Sequence, residues 1–270
     1  MIGVFDSGIG GLTILKSFLE ELPEYDYLYL GDNARTPYGN RSHDAVKSFT
    51  EEGVKYLFAQ GCTLIIIACN TASSQVLREL QEEYLRAPGV TDKKILGVIK
   101  PLVEEAKRIS VAGRIGVVGT RGTINSGSYE IELKNIDPDF HIYGQACPLL
   151  VPLIEENWSH KPETRMILKK YLHGLKSKNI DTLLLACTHY PFLIKDFRQI
   201  MGRKVKVPNP GEVVAKSLKD YLGRHPEIEK LLTKKGGRTF TTTDDPERFR
   251  EIGEKFLGTR MKEVAKVRLG

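Results

Sequence analysis

The chain has 270 residues, 41% hydrophobic and 27% charged, an ordinary globular composition with no low-complexity tract and no disorder signature, and long enough for one large α/β domain or two lobes of roughly 100 to 150 residues. Forty basic against thirty-four acidic residues give a formal charge of +6, a mild excess, densest in "TRMKEVAKVRLG", that suits a solvated face and attraction of a small anion but comes with no nucleic-acid-binding motif. Four cysteines without a Cys-x-x-Cys pair make no disulfide framework, no metal-ligand set can be assembled, and no apolar run approaches the roughly 20 residues of a membrane helix.

The start, "MIGVFDSGIGG", reads directly into a strand over Ile2–Phe5. It lacks the basic start and apolar stretch of a signal peptide, so a cytoplasmic location is expected. "DSGIGGLT", Asp6 to Thr13, is a glycine-rich turn into a helix over Leu12–Leu22. Thr13 stands where a dinucleotide fingerprint needs its third glycine, but backbone N–H groups at a helix start still suit a carboxylate. Asp6 reads either as a helix cap or as a proton-handling neighbour of a cysteine. A strand over Tyr27–Leu30 leads into "GDNARTPYGNRS", Gly31 to Ser42. This is either an ordinary turn ending in a Ser42 cap for the helix His43–Ala59, or a loop in which Tyr38-Gly39 offers a hydroxyl and an N–H to a ligand.

Then comes "LIIIACNTASS", a strand over Thr63–Ile67 ending in Cys69-Asn70-Thr71, with a helix over Ser73–Leu85. A strand over Ile95–Val98, a helix over Pro101–Ile109 and a strand over Ile115–Val118 follow. Glu155 in "LVPLIEEN" reads by itself as a surface carboxylate. A helix over Lys161–Ser177 precedes "LLLACTHYPF", a strand over Thr182–Leu185 ending in Cys187-Thr188-His189. The tail holds strands over Val205–Val207 and Phe240–Thr242 and helices over Glu212–Tyr221 and Pro246–Phe256, the last with Asp245 as N-cap and Pro246 as first helical residue.

Near-continuous aliphatic strands alternating with helices predict an α/β fold of mostly parallel sheets flanked by helices. "IGVFDSG" at Ile2 is echoed by "IGVVGTRG" at Ile115, and each is followed by a cysteine loop after a later strand. The expectation is two similar lobes, residues 1–97 and 98–207, with ligand between the carboxyl ends of their strands.

Cys62 and Cys147 read as packing residues. Cys69 and Cys187, 118 positions apart, each follow the last aliphatic residue of a strand at the start of a helix. A helix N-terminus favours thiolate, which predicts pKa values below the usual 8.5 or so. Acyl transfer needs one nucleophile with a histidine partner, and thiol redox chemistry needs a second thiol close by. Stereoinversion at a carbon acid needs two bases, one on each face. His189, two residues from Cys187, is either a partner of that thiol or a structural histidine.

"FDSGIGGLT", "GDNARTPYG", "ACNTAS" and "ACTHYPFL", in this order and spacing, resemble the glutamate racemases of the aspartate/glutamate racemase superfamily across nearly the whole chain. "VVGTRGTINSGSY" and "PLIEE" also fit. The resemblance implies a cofactor-independent racemase, an isomerase of two lobes, with Cys69 and Cys187 as the two acid/bases. It implies that Asp6 supports Cys69, that Glu155 and His189 support Cys187, and that Asp32 lies close to the site. Substrate would be held by Asp6, Ser7, Asp32, Tyr38, Gly39, Asn70, Thr71, Thr188 and His189. The part after about Pro208 would pack back onto the first lobe, giving lobes of residues 1–97 plus 208–270 and 98–207. Asn209 in "VPNPGE" departs from the Asp that similar enzymes often carry. D-glutamate would feed peptidoglycan synthesis and so cell-wall biogenesis and cell shape; a homodimer is expected, with no cofactor, metal, membrane or nucleic-acid partner. The alternatives are a racemase for aspartate or another amino acid, a thiol-redox enzyme, or a binding or regulatory protein that uses its basic surface on nucleic acid or on an enzyme of DNA metabolism.

Overall fold

The computed structural model describes residues 1–85 and 92–270, and of Leu85 only the backbone. Its strands, among the described residues, are β1 (Ile2–Asp6), β2 (Tyr27–Gly31), β3 (Leu64–Ile67), β4 (Lys94–Gly97), β5 (Arg114–Gly119), β6 (His141–Ala146), β7 (Thr182–Ala186), β8 (Arg238–Thr242) and β9 (Val264–Lys266). They form two sheets, ordered β4-β3-β1-β2-β8-β9 and β6-β5-β7, with every pairing parallel.

β1, β2, β3 and β7 are buried along their whole length. A strand covered on both faces needs apolar residues at every position, so "LIII" and "TLLLA" show no alternation. On one face of the first sheet the helix Leu12–Glu21 packs against the helices Pro210–Arg224 and Pro246–Leu257. On the other, His43–Ala59 sets Val46, Val54 and Leu57 against Phe5, Leu28 and Leu30. In the second sheet, Ile99–Ile109 and Ser128–Ile136 pack with Val117 and Leu184. Each such side chain contributes about 1.5–3 kcal/mol by leaving water, against about 0–1 kcal/mol for a surface ion pair. The aliphatic runs therefore hold the sheets together.

The fold departs from the expected elements in a few places. Val205–Val207 is no strand: only Lys206 bridges, to Thr182. β6 and β9 lie at sheet edges, where "HIYGQA" and "VAK" are largely half-exposed or exposed and so carry no aliphatic signature. The helix expected over Ser73–Leu85 is two, Asn70–Gln75 and Leu77–Leu85, broken at Val76. The short helices Leu150–Glu155 and Ile194–Met201, and the longer Ser128–Ile136, have no side-chain cap to mark their starts, whereas Arg121–Asn125 is capped by Thr120. Asp245 does cap its helix, accepting from Glu247 N at 2.9 Å. Ser42 caps His43–Ala59, and Asn209 caps Pro210–Arg224 by accepting from Gly211 N at 3.1 Å. Asparagine serves that position as well as aspartate does.

The internal echo has a topological counterpart. β1 and β5 each lie inside their sheet, and the cysteine loops follow β3 and β7, their immediate neighbours. β8 pairs with β2, which returns the end of the chain to the first sheet. No helix among the described residues is long and apolar enough to cross a membrane.

Candidate active site

β3 ends at Ile67, and Cys69 occupies the N-cap position of the helix Asn70–Gln75. β7 ends at Ala186, and Cys187 leads through Thr188 and His189 into the 3-10 turn Tyr190–Leu193. Both cysteines are 5% exposed. Cys187 lies close enough for its charge to act on Cys69.

Each thiol has its own surroundings. Cys69 Sγ donates to Ser7 Oγ at 3.4 Å. Asp6, wholly buried at the end of β1, accepts from Gly8 N at 3.0 Å and from Thr188 Oγ1 at 3.5 Å. Asp6 is therefore not the cap of Leu12–Glu21, whose N-cap position belongs to Gly11. Its carboxyl is held above the usual carboxylate range by burial, with the charge of His189 and two backbone N–H groups opposing. On the other side, His189 Nδ1 faces Cys187 Sγ at 4.0 Å and Nε2 lies 2.9 Å from Glu155 Oε1. The ring also meets Phe256 edge-on, with centroids 5.6 Å apart. Burial acts to lower the His189 pKa, but hydrogen bonds to Cys187 and Glu155 outweigh it and raise the value to about 10.

The expected lowering of the Cys69 pKa is overturned. Burial, with the Asp6 charge second, pushes it up to about 12, although Ser7 and Ala72 N–H stabilise the thiolate. One short helix start does not replace the water that a buried thiolate loses. Cys62 is likewise pushed up to about 12, by burial.

The two halves touch through backbone as well. Thr13 Oγ1 donates to Thr188 O at 2.8 Å. A Cβ on Gly10 would lie 2.4 Å from Thr188 Oγ1 and 2.5 Å from His189 Cε1, so only glycine lets the first turn reach the Cys187 loop.

The Gly31–Ser42 loop is tied to Asp32. Its buried carboxylate accepts from Tyr38 Oη at 2.5 Å, Arg35 Nε at 2.7 Å and Thr243 Oγ1 at 2.8 Å. The Tyr38 hydroxyl is thus committed to Asp32, and both residues hold the loop that carries Gly39. Gly39 packs against Thr120 of the second lobe. Thr71 Oγ1 is engaged by Thr120 Oγ1 at 3.0 Å and Thr123 Oγ1 at 3.4 Å. Its backbone N–H is the group at the helix start that can meet an anion.

Cys69, Cys187, Asp6, Ser7, Asn70, Thr188, His189 and Glu155 come together around one buried centre; Thr71, Asp32, Tyr38 and Gly39 frame it. A wide groove beside Gly39, running past Gln75, Arg121 and Ser128 towards Lys100 and Tyr221, takes in Gly39 but neither cysteine. Thr13, Thr120, Thr123 and Tyr129 make cross-lobe contacts that the sequence does not mark; the last three lie in "TRGTINSGSY", where small polar residues carry no distinctive spacing. No group of three or more His, Cys, Asp or Glu side chains among the described residues is placed to hold a metal ion.

The model of the Asp/Glu/Hydantoin racemase family matches residues 3–218. The glutamate racemase of Geobacter metallireducens is 38% identical over 268 residues, covering 99% of this chain and 96% of that protein. Glutamate racemase isoform RacE1 of Bacillus anthracis superimposes with a TM-score of 0.90 at 35% identity, covering 99% of this chain and 97% of that one. The Francisella tularensis glutamate racemase, solved in complex with D-glutamate, superimposes with a TM-score of 0.88 at 36% identity, with the same coverage. Sequence, fold and the paired cysteine loops agree: the chain belongs to the glutamate racemases of the Asp/Glu/Hydantoin racemase family.

Proposed function

We propose that the protein interconverts L- and D-glutamate by a cofactor-independent proton transfer at Cα, with Cys69 on one face of the substrate and Cys187 on the other. One observation carries the reading. Two buried thiols end equivalent strands of two sheets and sit in one centre, each with its own charged neighbours. Acyl transfer needs only one such nucleophile, and thiol redox chemistry needs two thiols close together but no separate charged neighbour for each.

In the forward step one thiolate takes the Cα proton and becomes a thiol. The electron pair left on Cα spreads onto the carboxylate. The opposite thiol then gives its proton to the other face and becomes a thiolate. The growing carboxylate charge is met by the Asn70 side chain and by N–H groups near Thr71 and Thr188, donors already fixed in a water-poor site. Burial, and then the Asp6 charge, keep Cys69 as the thiol in the resting state. A thiol as weakly acidic as Cys69 makes a strong base once deprotonated, which suits a weakly acidic carbon.

The division into lobes of 1–97 plus 208–270 and 98–207 belongs to this proposal, as does supply of D-glutamate to peptidoglycan. The enzyme is tested by following the circular dichroism of L-glutamate with the pure protein, with and without reductant, after dialysis against a chelator, and with L-aspartate in parallel. Loss of optical activity with glutamate alone, unaffected by chelation, is the expected result. A rate restored only by added metal or pyridoxal phosphate, or faster on aspartate, would overturn it.

A further inference from the structure

Asn70 follows Cys69 and is 3% exposed. Its Oδ1 accepts a hydrogen bond of 2.6 Å from the Tyr129 hydroxyl. Tyr129 comes from the other side of the centre, on the helix Ser128–Ile136, and belongs to the buried apolar cluster of the second lobe that includes Leu102, Val103, Leu133 and Ala186. Burial, and then the neighbouring charge of Cys187, hold its phenol far above the usual tyrosine range, so it is a hydrogen-bond donor at any working pH. An amide side chain can present either its oxygen or its amino group in a given direction. A donor fixed on Oδ1 decides between them: Nδ2 is left to face elsewhere, and among the described residues no protein group hydrogen-bonds to it.

We propose that Tyr129 is a positioning residue: it locks the Asn70 amide with Nδ2 towards the substrate carboxylate, and does so from the opposite lobe, so that this donor is correctly set only when the lobes are together. The inference rests on the reading of Asn70 as a carboxylate donor given above. An acceptor turned towards a carboxylate would repel it, so the lock matters most in the transition state, when the carboxylate carries its greatest charge. Neighbouring contacts point the same way: Ser128 Oγ donates to Ser74 O, and Thr120 meets Thr71, so this helix start and the N-cap of the preceding helix Arg121–Asn125 grip the Cys69 helix at three places.

The experiment is a double-mutant cycle of Tyr129→Phe and Asn70→Ala, measuring kcat and KM for both enantiomers of glutamate and the melting temperature of each variant. Phenylalanine keeps the ring packing and removes only the hydroxyl. Tyr129→Phe is expected to lower kcat/KM about tenfold, mainly in kcat, and to add less than about twofold in the Asn70→Ala background, because it acts through Asn70. A fall of the same size in both backgrounds, or near-parent kcat/KM in Tyr129→Phe, would overturn the proposal. If Asn70→Ala itself runs at the parent rate, the reading of Asn70 as a donor has failed and takes this inference with it. If Asn70→Ala is impaired while Tyr129→Phe is not, only the lock has failed. Should Asn70→Ala not fold, Asn70→Asp replaces it in the cycle, since its carboxylate accepts from Tyr129 but has no amino group to offer. The same non-additivity is expected, and additivity there overturns the lock equally.

Discussion

His189 Nε2 sits 2.9 Å from Glu155 Oε1 while the opposite nitrogen faces the Cys187 sulfur. Burial acts against the charge of the imidazole, but its hydrogen bonds to Cys187 and Glu155 hold it as the cation and raise its pKa from 6.5 to about 10. A group with a raised folded-state value stabilises the fold fully below its ordinary pKa, and that contribution is lost as pH rises through about 10. Activity of the parent should fall over the same range. Glu155→Gln should move this alkaline limb down by about one pH unit or more and lower kcat/KM roughly tenfold. A pH–rate profile of the two proteins decides; a limb that does not move would mean that Glu155 does not set the charge of His189.

The cysteines should be separately indispensable. Cys69→Ala and Cys187→Ala are each expected to keep the fold and to lose racemisation by on the order of a thousandfold, since each removes the only base on its face. Cys62→Ala, far from the centre, should keep most activity and lose about 1–3 kcal/mol of stability, because that sulfur packs against Gly3. A folded Cys187→Ala protein racemising near the parent rate would remove the two-base assignment.

Isotope transfer tests the two faces directly. With protiated L-glutamate in deuterium oxide, one thiolate takes protium and the other, exchanged with solvent, delivers deuterium to the opposite face. D-glutamate formed at low conversion should be almost fully deuterated at Cα, and recovered L-glutamate largely protiated. Mass spectrometry of the separated enantiomers reads both; substantial protium in early D-glutamate would indicate a single shuttling base.

Gly10→Ala should separate closing from folding. The added methyl lands within 2.5 Å of Thr188 and His189, groups that close against the first turn. Relief by a small displacement of the lobes costs about 1–3 kcal/mol. The expected outcome is a loss of kcat/KM of tenfold or more in a protein whose circular dichroism is unchanged. Parent activity in Gly10→Ala would show that this approach is not needed for turnover.

The buried strands and the two cysteine loops were legible because "LIIIACN" and "LLLACTH" combine a run that only a doubly covered strand requires with a polar break. The edge strands β6 and β9 were not, since a half-exposed strand needs no apolar run. Asp6 and His189 stood out as titratable groups beside glycines or cysteines. Tyr129 did not, because a tyrosine on a helix has no local mark of a partner 59 positions away. The raised Cys69 pKa was misread for a related reason: the helix start is local and visible, while the burial that overrides it is made by distant parts of the chain.

Burial of both thiols shapes what happens between turnovers in the two-base mechanism. When product leaves, the thiol and thiolate have exchanged places, and the enzyme is charged to run the reaction backwards. Both cysteines are 5% exposed, so water reaches them poorly and the original arrangement returns only as fast as protons can pass through His189, Asp6 or an opened cleft. Until then a two-base enzyme of this kind would keep a record of the direction of its last turnover. Dryness at the carbon and speed of resetting are thus opposed demands on the same two side chains.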